Sequence, residues 1–101
     1  MSDFATSVER LLTQVRHWEE TRWASSAGVG TKGDLAYGLV QRLADLGAEA
    51  ENRAPREVPR AHDLVLPDQL RVVADDIIAA EPSADLLTRA TAAVNEARQA
   101  L

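Results

Sequence analysis

Four times along this chain apolar side chains recur in steps of three and four residues, with prolines or glycines between the runs. That spacing lines one face of an α-helix, and a chain of one-faced helices must bury them against one another. In the first run Phe4, Val8, Leu11, Leu12, Val15 and Trp18 fall within an arc of about 120°. Ser2 or Asp3 can cap its start by accepting from an exposed backbone N–H. Glu19 and Arg22 would enter the apolar arc if the helix continued, so it is expected to end between Trp18 and Glu20.

The second run, Leu35, Leu39, Leu43, Leu46 and Ala50 with Val40 at its margin, predicts a helix from Asp34, or from Thr31 a turn earlier, to about Asn52. Gly47 lies inside it, and a glycine there is tolerated where another backbone packs close. The third starts at Pro67, whose missing N–H costs nothing at a helix start, and buries Leu66, Leu70, Val73, Ala74, Ile77 and Ile78. After Pro82 and Ser83, the fourth buries Leu86, Leu87, Ala90, Ala93, Val94, Ala97 and Leu101.

Two connections are long. Residues 24–33 are small and hold three glycines, which reads as a flexible, partly mobile loop. Residues 53–66 hold Pro55 and Pro59 and cannot be one helix. They read as an extended strap along the bundle, anchored by Val58, Leu64 and Leu66. The expected fold is one all-α domain over residues 1–101, an antiparallel four-helix bundle with a long extended crossover between helices two and three.

Composition narrows the chemistry. The chain has no cysteine, which excludes disulfides, thiolate metal sites and a cysteine nucleophile. No apolar run approaches the roughly 18 residues of a membrane span. Asp3, Glu9 and Arg10 break the start of the chain, which therefore does not read as a signal peptide. A cytoplasmic protein is expected.

The formal net charge is -5, and only residues 53–66 are net basic, through Arg53, Arg56 and Arg60. An acidic chain with so weak a basic footprint and no stacking platform is not expected to bind nucleic acid. Those arginines and His62 are candidate contacts for an anion, although Glu49, Glu51 and Glu57 are available to pair with the arginines.

Catalytic patterns are thin. His17 and Glu20 have helical metal-ligand spacing, but two ligands do not make a site, and no metal or other cofactor is expected. The pair His62 and Asp63 suits a local turn better than a catalytic base, as no nucleophile motif accompanies it. Asp75, Asp76, Glu49 and Glu51 lack calcium-loop spacing and read as solvated helix faces. In Gly28-Val-Gly-Thr-Lys-Gly33 the threonine precedes the lysine and no strand leads in, so it is not a phosphate loop of the Walker type.

Three apolar or aromatic residues fall off the buried arcs. Trp23 lies beyond the end of the first helix, where it can fold back over the end of the core while staying partly accessible. Tyr37 lies opposite the second stripe, beside Ala44 and Ala48, and Val72 opposite the third, beside Ala79. Such residues are candidate partner contacts, since aromatics bury much area at little entropic cost.

Three blocks, Val15-Arg-His-Trp18 with Arg22-Trp23, Leu39-Val-Gln-Arg-Leu-Ala-Asp-Leu46, and Asp63-Leu-Val-Leu-Pro-Asp-Gln-Leu-Arg-Val-Val-Ala-Asp-Asp-Ile77, resemble a group of short helical proteins of high-GC Gram-positive bacteria. That group has no assigned activity, so the resemblance implies a bacterial cytoplasmic setting and carries over no site residues. The expected function is non-enzymatic: protein–protein contact or self-association through Trp23, Tyr37 or Val72. The alternative is a small-molecule or anion binder using the crossover residues 53–62.

Overall fold

The computed structural model describes residues 3–101. Helix α1 spans Asp3–Val15 and α2 is a single turn, Glu20–Trp23. A two-stranded hairpin follows, β1 Ser26–Ala27 and β2 Gly30–Thr31, and leads into α3, Lys32–Ala50. After the strap come a 3-10 turn, Asp63–Val65, then α4, Leu66–Ala79, and α5, Ala84–Ala100. The described chain is thus mostly helical, and no helix in it is long and apolar enough to cross a membrane.

The four long helices are those expected from the periodicity, and most of their stripes form one core. Phe4, Leu11, Val15, Leu43, Leu46, Leu70, Ile77 and Val94 are all buried within it. Thr31 starts α3 with a capping box: its hydroxyl accepts from Asp34 N, and the Asp34 carboxylate accepts from Thr31 N, both at 3.0 Å. Ser83 caps α5 by accepting from Leu86 N at 3.2 Å. Asp3 stands in the first turn of α1 rather than before it, and Ser2 lies outside the described residues.

Of residues 24–33, expected as a flexible loop, 26–31 form a hairpin and Lys32 and Gly33 already begin α3. Ala27 pairs with Gly30, leaving Gly28 and Val29 at the tip. Gly28 has φ +66° while Val29 does not take a positive φ, the pattern of a type II′ turn with glycine first. Lys32 N donates to Ser25 O at 2.9 Å and closes the base of the hairpin.

The strap sets the topology. From the end of α3, where Arg53 N donates back to Ala48 O, it runs the length of that helix towards its start. Gln41 grips it midway, with Nε2 donating to Arg56 O at 2.9 Å and Oε1 accepting from Val58 N at 2.8 Å. Arg60 reaches Asp34 and Asp63, and Asp63 lies against Gly33 in the first turn of α3. Helix α4 therefore begins beside the start of α3 and its Ile77 packs near Gly47 at the other end. The two helices run in the same direction. The expectation of an antiparallel neighbour fails here, because a connection that returns along the whole of α3 can only deliver a parallel partner.

Helix α5 runs against α3: Arg89, in its first half, pairs with Glu49, whereas Ala97 and Ala100 share a recess with Leu35 and Leu39. Helix α1 packs between α5 and α4, and Arg71 ties α4 to it through Glu9 at 2.7 Å.

Candidate functional site

The two tryptophans are placed the other way round from expectation. Trp23 has no exposed surface, while Trp18 is only partly buried. The helix ends at Val15, the chain turns at Arg16 and His17, and α2 restarts at Glu20 with a new phase that swings Trp23 into the core. Trp18 stacks edge-on upon it, centroids 4.9 Å apart at 63°, and takes Arg22 at 4.7 Å and Lys32 at 5.2 Å over its own ring. Trp23 is thus a core residue and not a partner contact. Its indole N–H is buried without an acceptor among the described residues.

Tyr37 is also used internally. It is half-buried, its hydroxyl donates to Val58 O, and the Arg60 guanidinium lies 4.8 Å from its ring. The strap covers the face of α3 that periodicity left outside, and Ala48 on that face is fully buried. Leu64, expected to anchor the strap, is 48% exposed and borders a shallow recess with Trp18. Ile78, expected in the core, is 45% exposed; it shares its side of α4 with Arg71, at the margin of the buried arc.

The crossover residues do not converge. Arg53 and Arg56 line a cleft of ≈ 240 Å³ between the strap, α3 and α4, which they share with Glu57 and Asp76. Arg53 also pairs with Glu51 at 3.0 Å. Arg60 is held by Asp34 and Asp63, each at 3.2 Å. His62 caps the 3-10 turn, its Nδ1 accepting from Leu64 N at 3.2 Å, while Nε2 meets Glu20 at 3.2 Å. Glu20 is thereby engaged away from His17, on a helix that His17 does not share, and Asp63 faces Arg60 rather than His62. Among the described residues no three histidine or carboxylate groups gather as metal ligands.

Val72 stands where the periodicity put it, on the outer face of α4 and 58% exposed. Val65, one heptad earlier and 37% exposed, was not evident from sequence because it belongs to the 3-10 turn. With Val58 from the strap and Val73, the two valines line a groove of ≈ 290 Å³ that also touches Asp68 and Gln69. The Gln69 amide nitrogen donates to Pro59 O at 3.2 Å and fixes the strap as one wall, while its Oε1 has no donor among the described residues.

Further ion pairs lie away from the groove. Arg89 grips Glu49 through both terminal nitrogens and reaches Asp85 at 3.1 Å through Nε. Its guanidinium is held above its usual range by the Glu49 bond, which also holds Glu49 below the usual carboxylate range. Glu9 is lowered by its hydrogen bond from Arg71, and Asp34 by the Thr31 backbone N–H and then Arg60. These pairs join helix to helix or strap to helix and are structural. In comparisons with known proteins the chain matches no family model, no curated protein and no solved structure.

Proposed function

We propose that this chain is a non-enzymatic, cytoplasmic four-helix bundle that acts by protein–protein contact, with the outer face of α4 as its docking surface. The observation that carries the reading is the groove of Val58, Val65, Val72 and Val73, an apolar indentation whose two most exposed members, Val72 and Val65, lie outside the buried core. Fully burying an exposed valine contributes about 1.5 kcal/mol or more, and Val72 and Val65, 58% and 37% exposed, can each supply roughly half of that or less to an interface. Of the three surface contacts expected from sequence, Val72 supports the reading, while Trp23 and Tyr37 serve the fold.

The alternative, anion or small-molecule binding at the crossover, retains only Arg53 and Arg56, and their cleft also holds Glu57 and Asp76. Two carboxylates beside two guanidiniums weaken the field an anion would need. The test is affinity capture from a native lysate with the wild type, Val72→Glu and an α5 control, Gln99→Glu. A partner retained by the control and lost with Val72→Glu supports the α4 face. A partner that ignores Val72 sinks it.

A further inference from the structure

We infer that the α4 groove receives a basic amphipathic helix from another protein, an inference that rests on the docking reading above and names the partner's chemistry. On a helix the neighbours of residue i are i±3 and i±4. For Val72 these are Asp68, Gln69, Asp75 and Asp76, so three of its four neighbours are aspartates, all exposed. None of the three has a hydrogen bond or ion pair among the described residues, although Asp76 also borders the cleft of Arg53 and Arg56; Asp34, Asp63 and Asp85, by contrast, each hold an arginine. The one base on α4, Arg71, bonds Glu9 on α1 at 2.7 Å, and its charge acts on Asp75 only through space.

An apolar strip at heptad spacing, Val65, Val72 and then Ala79, accepts the ridge of a second helix, and unpaired carboxylates flanking it call for lysines or arginines flanking that ridge. The same charge argues against the other occupants. A two-fold contact between copies would set Asp68, Asp75 and Asp76 against themselves. An anionic membrane surface or a nucleic acid would be repelled.

The test uses the full ¹⁵N-labelled chain and two synthetic helical peptides with the same leucine ridge, one flanked by lysines and its twin by glutamines. Amide shifts locate each peptide, and titrations give affinities at low and high salt. The lysine peptide should move the signals of Val58, Val65, Val72 and Val73. It should bind about tenfold tighter than its twin, each exposed ion pair being worth roughly two- to threefold. The triple change Asp68→Asn, Asp75→Asn, Asp76→Asn should erase that difference and its salt dependence, and Val72→Asp should weaken both peptides. Equal binding of the twins at the groove would overturn the basic partner and leave the docking surface standing. Shifts confined to other surfaces, or no binding, would overturn both. Concentration-dependent shifts of the groove without peptide would put a second copy there and also overturn it.

Discussion

Single positions show where packing overrides pattern. Trp23 presents the largest fully buried side chain, so Trp23→Ala should cost about 3–5 kcal/mol, measured by denaturant unfolding. Trp18→Phe should leave a blue-shifted emission that resists an aqueous quencher, because the remaining indole is the enclosed one. A red, readily quenched spectrum from that variant would contradict the placement. Gly33 offers a second test. A Cβ there would come within 2.5–2.8 Å of the Asp63 carboxyl group, so Gly33→Ala must push Asp63 off Arg60. A loss of at most about 1 kcal/mol is expected, because the pair is a surface one and alanine favours the helix, and Asp63→Ala in the same chain should recover it. No recovery in that double variant would mean the two sites do not touch.

At the level of elements, the ends and the strap are the informative parts. Asn52 and Glu81 take positive φ, 55° and 49°, just beyond α3 and α4. Asparagine adopts that conformation readily, whereas glutamate does so at a cost. Glu81→Gly should therefore stabilise the protein by about 0.5–1 kcal/mol in thermal or chemical unfolding. Gln41→Ala removes both of the side chain's bonds to the strap and should speed tryptic cleavage after Arg56 and Arg60. The stripes of α1, α3, α4 and α5 were legible because helical burial repeats every 3.6 residues whatever the tertiary context. Glu19 and Arg22 pointed to an end of α1 between Trp18 and Glu20, but the helix stops earlier, at Val15, and the restart at Glu20 that re-aims Trp23 leaves no periodic trace, since one turn is too short to have a period. The outward side of α3 misled for a different reason: a strap without periodicity covers it, so Tyr37 and Ala48 read as exposed. Val72 was legible as a surface residue, but its groove needs Val58 from a segment far along the chain.

The whole molecule is held by one apolar core and a few ion pairs across helices. Glu9, Asp34 and Glu49 keep their protons off more strongly folded than unfolded. A carboxylate with a lowered folded pKa stabilises the fold above its unfolded pKa, and that stability is lost as pH falls through the folded value. Melting temperature should thus stay level from pH 7 towards 5 and fall below about pH 4.3, the ordinary glutamate range. All three carboxylates are solvent-exposed, so the decline should be shallow and smaller in high salt. A melt that improves on acidification would show that the pairs do not matter.

The strap also acts as a gauge. Helix α3, with 19 residues, is about 28 Å long at 1.5 Å per residue. An extended chain covers at most about 3.6 Å per residue, so returning along α3 takes roughly eight residues or more. Deleting Ala54–Arg60 would leave Arg53, Ala61 and His62 between Asn52 and Asp63, with a reach near 14 Å. Asp63 could then no longer arrive at Gly33, and α4 could follow α3 only as its antiparallel hairpin partner, with Val72 turned to a different neighbour. Slack in this one connection, rather than any helix, decides which way α4 points.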